Sequence, residues 1–97
     1  MRVIAEKTLR DYWQKHPIVR KSLEAWLEDV HRADWKRPTD LQSIYGDDVV
    51  LPDDRAVFNI KGNAYRLVVH IHYKSNIVFI RFIGTHAEYD KVDATKV

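Results

Sequence analysis

The apolar repeat of this 97-residue chain changes period near Val49, and that change restricts the architecture more than any other feature. Upstream, apolar residues return every three or four positions, as on one face of a helix. Downstream they return every second position, as on one face of a strand. Val49–Leu51, Val57–Ile60, Tyr65–Tyr73 and Ile77–Gly84 read as strands. Pro52-Asp53-Asp54, Lys61-Gly62-Asn63 and Ser75-Asn76 separate them with turn chemistry. The expected fold is α+β: two N-terminal helices packed on one face of a small antiparallel sheet, with a short C-terminal helix. Residues 1–97 hold no linker or repeat and read as a single domain.

The helical half divides at His16-Pro17. Arg2-Val3-Ile4 suits a very short strand, and Ala5, Leu9, Tyr12 and Trp13 then set a helix running to Lys15. Pro17 suits the first turn of a second helix, where its missing N–H costs nothing. Val19, Leu23, Trp26, Leu27 and Val30 make that helix's apolar face, opposite Arg20, Lys21, Glu24 and Glu28. After Trp35–Pro38, Thr39 or Asp40 is expected to cap a short helix ending at Tyr45-Gly46.

Alternation assigns faces in the strands. Tyr65, Leu67, Val69, Ile71 and Tyr73 form the core set; Arg66, Val68, His70 and His72 form the outer set. In the last strand Val78, Ile80 and Phe82 are expected inside, and Phe79, Arg81 and Ile83 outside. A two-residue Ser75-Asn76 loop would place His70 opposite Arg81 and Arg66 opposite Thr85. A four-residue Lys61–Ala64 loop would place Asn59 opposite Arg66.

Charge is distributed unevenly between the halves. Residues 1–48 are neutral, whereas 55–87 contain Arg55, Lys61, Arg66, Lys74, Arg81 and no Asp or Glu. A stretch of cations with no local carboxylate favours an anionic partner, of which a polyphosphate is the common kind. Arg supplies a planar fork for phosphate oxygens and His exchanges protons near neutrality. His70-x-His72 has a metal-compatible spacing, but that stretch lacks the acidic or Cys ligands that complete such sites, so no metal is expected. The chain has no Cys, no Gly-rich phosphate loop and no nucleophile elbow around Ser22, Ser43 or Ser75. Glu6 and Asp11 interrupt any signal-peptide core and no apolar run reaches membrane length, so the expected location is cytoplasmic, without membrane contact. Thr85 and Glu88 have capping-box spacing, which would set His86 and Tyr89 on one side of a short helix.

Phe58-Asn59, then Gly62-Asn63-x-Tyr65-Arg66-Leu67, then Phe82-Ile83-Gly84-Thr85-His86-x-Glu88-Tyr89-Asp90, resembles the HigB family of bacterial toxins. Arg37-Pro38-Thr39-Asp40-Leu41 agrees more loosely. The resemblance implies a RelE-like fold and a ribosome-dependent endoribonuclease cutting translated mRNA without a cofactor. The implied reaction is attack of the RNA 2′-hydroxyl on the adjacent phosphate. It also implies a cognate helix-turn-helix antitoxin of the HigA kind, which contacts DNA on behalf of the complex. In this setting Arg66 and Arg81 are expected on the phosphate, His86 as general acid or base, and Tyr89 orienting or assisting it. Asn59, Lys61, His70, His72 and Lys74 are expected to contact RNA, with Lys7, Lys15, Arg20 and Lys21 as outlying charge. Three other readings fit the same residues. They are a related toxin acting on DNA gyrase, a non-catalytic RNA-binding module using Phe79, and an interaction domain docking through Val68, Phe79 and Ile83.

Overall fold

The computed structural model describes residues 1–97. Strand β1 (Arg2–Ile4) leads into α1 (Glu6–Lys15), and Pro17–Val19 forms one tight 3-10 turn before α2 (Arg20–Arg32). Then come α3 (Pro38–Tyr45), β2 (Val50–Leu51), β3 (Arg55–Ile60), β4 (Tyr65–His72), β5 (Ile77–Thr85) and α4 (His86–Tyr89). The sheet order is β1-β5-β4-β3-β2. Its pairs are antiparallel except β1 with β5, which run parallel, so the sheet is mixed rather than wholly antiparallel. Helices α1–α3 and strands β2–β4 all lie between β1 and its partner β5, and a parallel pair needs such a long connection.

One core lies between the helices and the sheet. Leu9 of α1, Leu23 and Val30 of α2, Leu41 of α3, and Leu67, Ile71 and Val78 of the sheet are fully enclosed. Truncating one such Leu to Ala costs about 2–5 kcal/mol. Trp26 and Trp35 close this core against Phe58, with ring centroids 5.4 Å and 6.1 Å away. The Met1 amino group donates to the Val30 and Ala33 carbonyls, both at 2.9 Å, which places a cation at the negative end of α2. No helix is long and apolar enough to cross a membrane.

Pro38 opens α3, so neither Thr39 nor Asp40 caps it; Asp40 instead accepts the Lys36 N–H at 2.8 Å. A Pro in the first turn gives up no helical hydrogen bond, which favours starting one residue earlier. Gly46 ends α3 with φ 93°, as the expected Tyr45-Gly46 terminus requires.

The hairpin between β3 and β4 has the expected register: Ile60 faces Tyr65 and Asn59 faces Arg66. The one between β4 and β5 does not. His72 pairs with Ile77, so the turn holds four residues, Tyr73–Asn76, and His70 faces Phe79 instead of Arg81. Further along, Val69 pairs with Ile80 but Val68 pairs with Phe82. Arg81 is the extra residue of a β-bulge, and a bulge reverses the alternation beyond it. Phe82, expected in the core, therefore shares the outer row with Val68. Ile83, expected outside, faces Leu67 and packs against the core. Arg66 faces Gly84 rather than Thr85.

Candidate active site

The outer sheet face separates into two regions. Arg55, Val57 and Asn59 of β3 share it with Arg66, Val68, His70 and His72 of β4. Arg66 and His70 are one turn of the alternation apart twice over, about 13 Å along the strand. Asn59, Arg66, His86 and Tyr89 occupy the end near the β3–β4 turn. Arg55, His70, His72 and Phe79 occupy the other, with Arg81 beside them.

The first region is assembled by local chemistry. Lys61 and Gly62 take positive φ, 53° and 67°, to turn the chain between β3 and β4. The carbonyl of Ala64, just after that turn, accepts the His86 N–H at 3.0 Å. Thr85 Oγ1 accepts the Glu88 N–H at 3.1 Å, and the Glu88 carboxylate accepts the Thr85 N–H at 2.8 Å. This reciprocal capping box lets a four-residue helix hold its geometry at the end of a strand. The two Thr85 interactions hold the Glu88 carboxyl below its usual range.

Arg66 is the centre of this region. Its guanidinium lies over the Tyr89 ring, 5.3 Å from the centroid, and its Nη2 donates to Asn63 Oδ1 at 2.8 Å. Arg66 Nε–H has no partner within the fold. The His86 imidazole Nε2 stands 3.5 Å from Asp90 Oδ1 and is nearly half exposed. Gly84, beside Arg66, has no room for a side chain unless its neighbours shift: a Cβ there would lie 2.7 Å from the Phe82 ring and 3.1 Å from Glu88 Oε1. Phe82 in turn lies 6.5 Å, ring to ring, from Tyr89. Behind α4, Tyr12 stacks on His16 at 4.3 Å and meets the Tyr65 edge at 6.3 Å. Burial, then the Glu88 charge, pushes the Tyr12 hydroxyl's pKa up.

The second region is folded upon by the last residues. Arg55 is buried and donates to the Ala94 and Val97 backbone oxygens. Arg81 Nε donates to the same Val97 oxygen at 3.3 Å. Val57 and Val68 are buried on this face without belonging to the main core. Burial, then Arg55, His72 and Arg81, makes His70 harder to protonate. The His70 and His72 rings are 5.0 Å apart, and no group of three metal-ligating side chains includes them. The docking reading through Val68, Phe79 and Ile83 loses two members: Val68 is fully buried and Ile83 turns to the core.

The fold thus brings Asn59, Arg66, His86 and Tyr89 together, with Lys61 exposed in the adjoining turn. It does not bring His70, His72 or Lys74 to them, and it commits Arg81 Nε to the C-terminal segment. Sequence reasoning gave no role to Asn63, Asp90, Gly84 or Arg55. The first three lie inside the motif segments quoted above; Arg55 was visible only as one more cation.

Residues 19–92 match the HigB toxin family, described as a RelE-like toxic component of a toxin-antitoxin system. The chain is 32% identical over 92 residues to the mRNA interferase toxin HigB of Escherichia coli K12, covering 93% of this chain and 88% of that protein. The mRNA interferase HigB of Shigella flexneri gives the same identity and coverage.

Proposed function

The chain belongs to the HigB family of RelE-like toxins, and from that premise we propose that it is an endoribonuclease that cleaves translated mRNA on the ribosome. The observation that carries this reading is the Arg66 guanidinium held over Tyr89 of α4, the helix that His86 opens, on a face whose strands bear no carboxylate. The relatives are named for mRNA cleavage, and these are the side chains that such a reaction uses.

The reaction forms a bond from the RNA 2′-oxygen to phosphorus and breaks the bond to the 5′-oxygen. The products are a 2′,3′-cyclic phosphate and a free 5′-hydroxyl. One proton leaves the 2′-hydroxyl and one reaches the 5′-oxygen, so the balance closes without a cofactor. Arg66 neutralises the charge that grows on the phosphorane, through N–H groups already fixed by Asn63 and Tyr89. His86, whose N–H is bonded to the Ala64 carbonyl and whose ring lies near Asp90, exchanges one of these protons in this reading. Tyr89 holds Arg66 and supplies a hydroxyl at the same edge. Asn59 and Lys61 steady the RNA backbone. Arg81, whose Nε is bonded to Val97, meets the phosphate through its Nη groups, and His70, His72 and Lys74 contact RNA further along β4 and its following turn.

The partner reading goes with the family: a cognate helix-turn-helix antitoxin silences the toxin in the cytoplasm, and DNA is met only through that antitoxin. The test is chemical. Purified protein is incubated with a short mRNA, free or on programmed ribosomes, and the new ends are identified. Cyclic phosphate and 5′-hydroxyl ends on ribosome-bound mRNA alone support the reading. Cleavage of free RNA with 5′-phosphate ends overturns it.

A further inference from the structure

A cleft of about 180 Å³ opens at the free edge of β3, immediately beside Arg66. Its walls include the rings of Trp26, Tyr45 and Phe58; Asn59 and Arg66 border it on the sheet, and Asp48 is its one carboxylate. β2 pairs only with Arg55 and Ala56, which leaves the β3 edge beyond them without a strand partner, and Asp48 and Val49 border the cleft there. Tyr45 keeps over a third of its surface exposed, although its ring packs 5.0 Å from Phe58. Trp26 Nε1 and Arg66 Nε are buried N–H groups without an acceptor, behind the cleft surface.

We propose that this cleft is a subsite for one nucleobase next to the scissile phosphate, and that Asp48 makes it select guanine. The inference rests on the nuclease reading given above and deepens it. Trp26 and Phe58 are buried behind the cleft, so the partly exposed Tyr45 ring is the wall that receives a base by contact with its π-face, as single-stranded RNA is commonly bound. The position suits a nucleotide whose phosphate lies on Arg66, because Asn59 and Arg66 are paired neighbours across two strands.

The chemistry of a carboxylate chooses among the bases. Guanine presents N1–H and N2–H side by side, two donors for two carboxylate oxygens. Adenine and cytosine set their amino group beside an unprotonated ring nitrogen, which repels a carboxylate. Uracil sets its one N–H between two carbonyls, which repel it twice.

The experiment uses the folded full chain and two probes, 5′-GMP and 5′-UMP, followed by NMR at the Trp26 indole and the Asn59 amide. GMP is expected to shift both and to bind about tenfold tighter than UMP. In D48N, checked for unchanged melting, that ratio is expected to fall to about one to two, since the two-donor match is lost. Equal affinities in the native protein, or shifts at Arg66 and His86 without Trp26, would overturn the proposal. So would D48N keeping the full preference. GMP selection by a protein that cuts no mRNA would remove the nuclease reading and leave the subsite standing.

Discussion

Arg66 is clamped from two sides: its guanidinium carbon stands 5.3 Å from the Tyr89 ring centroid, and Asn63 accepts its Nη2–H at 2.8 Å. The clamp joins the β3–β4 turn, which carries Lys61, to α4, which carries His86 and Tyr89. A phosphate arriving there meets a donor whose orientation is already set, and such preorganisation lowers a barrier more than charge alone.

Arg66→Ala is expected to reduce cleavage by about 10²–10³-fold, the scale for removing one preorganised donor. Arg66→Lys keeps the charge but loses the planar fork, and is expected to recover little. Stability should change by less than about 1 kcal/mol, since neither contact is in the core. Single-turnover cleavage and a denaturant melt check both; a variant that unfolds would make the clamp structural.

His86→Ala is expected to slow cleavage by about 10²–10⁴-fold with the melt unchanged, as for loss of a proton-transfer group. Asp90→Asn leaves the imidazole in place and should cost less than His86→Ala. Equal losses in both would indicate that the pair acts only as a structural contact.

The capping box predicts an acid sensitivity confined to α4. The folded protein holds the Glu88 carboxyl below its usual range, so its contribution is present above the unfolded pKa and fades as pH falls through the folded one. Amide exchange in residues 86–90 should therefore rise below about pH 4, before global unfolding. Thr85→Ala should give the same loosening at neutral pH, at a cost of about 1 kcal/mol. Unchanged exchange in both cases would contradict the role given to the cap.

Gly84→Ala should distort the site from within. The new methyl meets the Phe82 ring and Glu88 Oε1, so either the ring or α4 must move. Overpacking of this kind costs about 1–3 kcal/mol. Chemical shifts of Tyr89 and Arg66 should move with it. A variant with native shifts and native melting would show that the space is not needed.

Arg55→Met is expected to destabilise the chain by about 1.5–3 kcal/mol, because a buried charged donor is lost from two backbone acceptors. It also removes a cation that opposes His70 protonation, so the His70 titration should move to higher pH. A stationary titration would show that burial alone sets it.

Local signals explain what was readable in advance. Thr85 and Glu88 are three residues apart, so their cap was legible, as were the Leu23–Val30 face and the Asn59–Arg66 pairing. The β4–β5 hairpin was not. Ser75-Asn76 looks like a two-residue turn, yet Tyr73 and Lys74 belong to it. Nothing at Arg81 marks a bulge, because the extra residue is fixed by how Phe82 and Ile83 pack against Gly84 and the core. The mixed sheet was hidden for a similar reason: three residues of β1 do not reveal which strand they will meet. Arg55 and Val97 are 42 positions apart, and no spacing rule links them.

The central claim is that the Arg66–His86–Tyr89 edge cleaves translated mRNA. It is tested most directly by mapping mRNA 5′ ends after brief expression in growing bacteria, with His86→Ala as the matched control. The account predicts new 5′-hydroxyl ends inside translated frames that vanish in the control. Growth arrest without such ends, or the same ends from His86→Ala, would contradict it.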